Sequence, residues 1–209
     1  MPTTNIVKDL GITVNDSLTP CTHIAKITAT AHQRVNLIVR SFTSRDISML
    51  LRAYTTYVRP LLEYNTVIWS PSLKCDVTAV EKVQRRFTKR LPGFRNLSYA
   101  ERRSKLNLTT LELRRLHNDD LVMCYKIIFN IIRLEFNNFF TFNTYSSTRG
   151  HPYKLYVNHS RINVRKHFFA CRVVNVWNSL PLDRDDFRSL HCFRSSLNNI
   201  DFSIFLIIE

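Results

Sequence analysis

The stretch DVTAVEKVQRRFTKRLPG, residues 76–93, governs how the rest of the chain is read. Val77, Val80, Val83, Phe87 and Leu91 recur at steps of 3, 3, 4 and 4, which gathers them on one side of an α-helix. Pro92-Gly93 then stops that helix. With the apolar side turned to a core, Lys82, Arg85, Arg86, Lys89 and Arg90 have to project outward. Arg95, Arg102 and Arg103 extend the cluster, and Glu101 is the only acid between positions 82 and 103. Eight cations in 22 residues create a potential able to displace counterions from a phosphate backbone. A solvated surface helix is the alternative, and the scarcity of compensating acids favours nucleic-acid contact.

Working outward, helical periodicity recurs on both sides. Pro20 suits a first turn, and Ile24, Ile27, Ala31 and Ile38 share a face. Ser44 is a candidate N-cap for a second stripe of Ile47, Leu50, Leu51, Tyr54, Val58, Leu61 and Leu62, which Pro60 should kink or end. Trp69-Ser70-Pro71 marks a loop. Downstream, Ser98 with Glu101 and Thr109 with Glu112 have the spacing of capping boxes. The second should open a long helix through Leu113, Leu116, Leu121, Cys124, Ile127, Ile128 and Ile131. From about residue 136 the pattern gives way to an Asn/Phe/Thr/Ser-rich connector.

The two ends read differently. Ile6 to Asp16 holds two β-prone runs around Gly11, with Asn15-Asp16 as a turn signal, which predicts a small hairpin or an edge strand. From Gly150 onward the sequence predicts a short strand at Leu155–Val157, helix from Phe168 to Trp177, a turn at Leu180-Pro181 and helix from Leu190 to Leu197. The expected fold class is mainly α, with a small N-terminal β-hairpin and a small C-terminal α+β segment.

Composition narrows the function. The 209 residues are 44% hydrophobic and 22% charged, enough for a real core, while 3 Gly and 7 Pro argue against a turn-rich β-sandwich. Thirty Lys+Arg against 16 Asp+Glu leave a net charge of +14, which calls for a polyanionic partner. From Phe136 to Leu182 no acid occurs, yet Arg149, Lys154, Arg161, Arg165, Lys166 and Arg172 interleave with Tyr153, Tyr156, Phe168 and Phe169. Such a mixture can stack bases and hold phosphates; for Phe168 and Phe169 a core role is the stronger expectation. The residues Met1 to Asn5 show no basic region followed by an apolar run, so no secretory signal is read. Ile127–Ile132 and Phe202–Ile208 are too short to span a bilayer, so no membrane partner is expected. The five cysteines, Cys21, Cys75, Cys124, Cys171 and Cys192, are odd in number and scattered, which suits reduced, buried thiols in the nucleus or cytoplasm.

No complete active site is legible. Asp119-Asp120 and Asp185-Asp186 are the adjacent acids that could hold divalent metal, and neither has a third acid on a defined strand nearby. On a helix, successive residues diverge by about 100°, which pulls the first pair apart. His151, His159 and His167 lack ligand spacing, and Cys171 with His191-Cys192 falls short of a zinc knuckle. No phosphate-cradling glycine loop or nucleophile elbow occurs. No cofactor, no metal and no enzymatic activity are expected.

Several strings, in order, resemble the region downstream of the catalytic core in reverse transcriptases of LINE-type (non-LTR) retrotransposons of the Jockey and CR1 kind. They are Asp9-Leu10-Gly11; YVRPLLEY, residues 57–64, with Trp69-Ser70-Pro71; and EKVQRRFTKRL, residues 81–91. Then come Leu113-Arg114-Arg115 with Asp120-Leu121 and Tyr125-Lys126; Arg149-Gly150-His151; and RVVNVWNSLP, residues 172–181. The resemblance implies a palm remnant at 1–18 with Leu10 and Gly11 from a primer grip, a helical thumb-like domain at 19–135 and a basic segment at 136–209. It implies RNA, DNA or their hybrid as partner, and the missing polymerase domains as a second. The family's Tyr-x-Asp-Asp hairpin, fingers and endonuclease are not in this sequence, so the expected product is a non-catalytic fragment. A helical protein-interaction module, with apolar surface around Ile6, Ile12 and Val14, and a decayed transposon remnant are the alternatives.

Overall fold

A computed structural model describes residues 5–143 and 150–207. The protein is mainly helical, with one two-stranded antiparallel sheet near the N-terminus. It divides into two compact units, Met1–Leu113 and Arg114–Ile207, so the division falls inside the stretch expected to be one long helix.

The first unit opens with β1 (Ile6–Asp9) and β2 (Ile12–Asn15), paired from Ile6↔Asn15 to Asp9↔Ile12. Leu10 and Gly11 make the turn at φ +43° and +89°, the positive values that a two-residue hairpin turn needs. β1 is exposed throughout. β2 buries Ile12 and ties to the next helix, with the Thr13 amide donating to His23 Nδ1 at 3.2 Å. That helix, α1 (Cys21–Ser41), follows Pro20 and buries Ile24, Ala31 and Ile38, as their spacing predicts.

Next come α2 (Ile47–Tyr57), α3 (Arg59–Glu63), α4 (Thr66–Trp69) and α5 (Lys74–Lys89). Asp46, not Ser44, caps α2: its carboxylate accepts the Met49 amide at 2.9 Å, while Ser44 Oγ accepts the Asp46 amide. Pro60 sits in the first turn of α3, where its missing N–H costs nothing, so the stripe breaks before it. α5 buries Val77, Val80, Val83 and Phe87, and Phe87 stacks on Tyr54 at 4.4 Å between centroids. Tyr54, Val80, Val83 and Phe87, with Val35, Leu50, Leu62, Trp69 and Leu91, form the core of the unit.

α6 (Tyr99–Lys105) has the capping box at Ser98 and Glu101, with the Ser98 amide donating to the Glu101 carboxylate at 2.7 Å. The second expected box is different: Thr110, not Thr109, accepts the Leu113 amide at the start of α7 (Leu111–Arg114).

In the second unit, Arg115–Leu121 winds as a π-helical stretch, followed by α8 (Val122–Ile128). The helix therefore ends before Ile131, which is 51% exposed. After the short α9 (Asn163–Lys166) come α10 (Phe169–Ser179) and α11 (Leu190–Leu197), close to the expected spans. The expected strand at Leu155–Val157 reduces to one bridge between Phe142 and Leu155. Aromatic rings of Tyr125, Phe129, Tyr153, Trp177, Phe187 and Phe193 pack edge and face in this core. No helix among the described residues is long and apolar enough to cross a membrane.

Candidate nucleic-acid interface

The basic face of α5 follows from its turn angle. At about 100° per residue, Lys82, Arg86 and Lys89 fall within roughly 60° of one another, opposite the buried valines. All three are exposed, as are Arg90 and Arg95. Lys82, Arg86, Lys89 and Arg95 make no ion pair and no side-chain hydrogen bond among the described residues. Their charge faces water undiminished.

α1 supplies the other wall. The Cys21 thiol donates to Asp76 Oδ2 at 3.0 Å near the start of both helices, and Arg90 Nη1 donates to Asn36 Oδ1 at 2.6 Å near their ends. α1 and α5 therefore run side by side in the same direction. Between those ties lies His32, whose titration Lys82 and Arg86 both oppose. Burial and these two cations hold its imidazole below the ordinary histidine range. Residues 17–45 contain no acid, so α1 adds no carboxylate to this face, and its Arg34 instead donates to the Tyr57 carbonyl at 2.9 Å.

Three of the expected contact residues are placed differently. Arg102 is 6% exposed, donating from Nε to Thr88 Oγ1 at 3.2 Å and from Nη1 to the Leu97 carbonyl at 2.5 Å. It is a structural residue, because the Tyr99 ring, the Thr88 hydroxyl and the Leu97 carbonyl enclose it. Arg85 and Arg103 are half-buried and lie 4.8 and 5.2 Å from the centre of the same Tyr99 ring. Beneath them, the buried Glu81 carboxylate accepts from the Tyr99 hydroxyl and from the Leu111 amide at 2.9 Å. Burial and this carboxylate hold the Tyr99 phenol well above the ordinary tyrosine range. The exposed track is thus Lys82, Arg86, Lys89 and Arg90, with Arg95 beyond and Arg85 and Arg103 along one flank.

Leu10 and Gly11 form the hairpin tip. Leu10 is 79% exposed, and its carbonyl accepts from the Tyr64 hydroxyl at 3.2 Å. Of the apolar surface expected around Ile6, Ile12 and Val14, Ile6 is exposed but Ile12 is buried.

The second basic region is also partly neutralised. Arg172 forms a two-pronged pair with Asp120, at 2.6 and 3.0 Å, which accounts for one acid of the Asp119-Asp120 pair. Arg161, Arg165 and Lys166 remain exposed, and Arg149 lies outside the described residues. Phe169 is buried as expected, but Phe168 is 50% exposed. Among the described residues no cluster of His, Cys, Asp or Glu could hold a metal ion.

Comparison with known proteins adds one relative. Over 115 residues, 54% of this chain, it is 26% identical to an uncharacterized protein of Caenorhabditis elegans. The chain spans 58% of the length of that protein. No protein-family model matches the chain, and no solved structure matches it.

Proposed function

We propose that this chain is a non-catalytic nucleic-acid-binding module, descended from the C-terminal part of a non-LTR retrotransposon polymerase. Its first unit holds RNA, DNA or a hybrid by the phosphate backbone along α5. The observation that carries the reading is the exposed face of Lys82, Arg86 and Lys89, unpaired among the described residues and walled by an acid-free α1. A surface helix stabilised for its own sake would place acids one turn from its lysines, at i+4. Lys82, Arg86 and Lys89 have none at that spacing on either side. Contacts of this kind fix position and affinity but read no base sequence, so binding is indifferent to sequence.

Charge reversal tests it. Fluorescence anisotropy with a labelled duplex at low salt should show K82E/R86E/K89E binding at least about a hundredfold more weakly than wild type. Reversal of Arg133, an exposed cation outside α5, should change affinity by less than about threefold. Equal losses in the two variants would remove α5 as the contact surface.

A further inference from the structure

A cavity of about 220 Å³ opens in the second unit, lined by Asn137, Asn138, Asn158, Arg165 and Phe168, with the buried Phe140 at its wall. It is smaller than the ~300–1,000 Å³ of sites for drug-sized molecules and suits a single ring system. The short helical turn Phe136–Asn138 sets the asparagines on one side. α9 delivers Arg165, and Phe168 precedes the first residue of α10.

The lining is chemically open. The side-chain amides of Asn137, Asn138 and Asn158 have no hydrogen-bond partner among the described residues, and neither does the Arg165 guanidinium. Phe168 makes no ring contact among the described residues and is half-exposed. No carboxylate lines the cavity. A metal ion would not choose amides beside a guanidinium, and a purely apolar ligand would use none of the four exposed polar side chains. A nucleotide uses all of them: the ring face stacks a base, amides pair with its edge and the guanidinium takes a phosphate.

We propose that this cavity takes one unstacked nucleobase, laid on Phe168 with its phosphate at Arg165. It deepens the nucleic-acid reading but stands on residues of the second unit alone. A base inside a duplex cannot reach it, so the site selects single strands or free nucleotides.

The test uses the full chain and two fluorescent probes of equal charge, an oligothymidine single strand and a duplex. Phe168→Leu keeps an apolar side chain at a half-exposed position and removes the stacking face; Asn158→Ala is the second variant. Phe168→Leu should weaken single-strand binding about fivefold or more and leave duplex binding unchanged. Competition by thymidine monophosphate would identify a free nucleotide as a ligand. Its failure, with single-strand discrimination intact, would identify a base within a strand. The proposal is overturned if wild type binds no single strand, if both variants bind single strands like wild type, or if they lose duplex binding equally. Failure of the α5 reading shows instead in the duplex affinity of K82E/R86E/K89E, so the two outcomes are separable.

Discussion

At the scale of single residues, burial separates cations of identical sequence appearance. Arg102 and Lys82 belong to one run of positive charge, yet the first is enclosed by Thr88 and Leu97 while the second faces solvent. Periodicity places Lys82 correctly because it shares α5 with the valines that define the core. It is silent on Arg102, whose partners come from α5 and the following loop. Histidines show a similar divide. Burial pushes His117 down to about 4, and its Nε2 has no partner while its ring packs edge-on against Phe202 at 4.5 Å. The unfolded chain protonates this group near its ordinary value of 6.5, the folded chain only near 4. Its contribution to stability is therefore complete above about pH 6.5 and is lost as pH falls towards 4. His117→Phe should keep the ring contact, remove the orphan nitrogen and flatten the decline in urea-unfolding midpoint between pH 6.5 and 4. At pH 7 the variant should be no less stable than wild type.

At the scale of elements, most helix interiors were readable and several ends were not. Apolar spacing marked the buried faces of α1, α2 and α5 and the spans of α10 and α11. Two helix ends rest on asparagine, a weaker stop signal than glycine. Asn107 and Asn130 take φ +51° and +50°, and the next amides, Leu108 and Ile131, donate back to the Arg103 and Lys126 carbonyls. The unbroken apolar stripe beyond Asn130 hid the second of these ends. The π-helical stretch at Arg115–Leu121 has no propensity signature of its own. The hairpin carries a strained residue: Leu10 at φ +43° stands where such turns favour asparagine. Leu10→Asn, giving Asn-Gly, should raise stability by about 0.5–1 kcal/mol in chemical denaturation. A decrease would show that the Leu10 side chain makes a stabilising contact despite its exposure.

At the scale of the whole molecule, a net charge of +14 says that a polyanion is a suitable partner but not where it sits. Position comes from the pairing of charges. Arg172 is answered by Asp120, Arg85, Arg102 and Arg103 gather at the Tyr99 ring, and Arg90 keeps its full charge while bonding the neutral Asn36 amide. In the first unit Lys82, Arg86, Lys89 and Arg95 have no ion pair or side-chain hydrogen bond among the described residues, and composition alone could not single them out; Arg161, Arg165 and Lys166 of the second unit are likewise exposed. The salt dependence of duplex binding tests this account most directly. Each phosphate neutralised contributes about −0.9 to the slope of log affinity against log salt. Four to five exposed cations on and beside α5 predict a slope of roughly −4 for wild type, falling to about −1 in K82E/R86E/K89E. A flat wild-type plot, or an undiminished slope in the reversed variant, would contradict it.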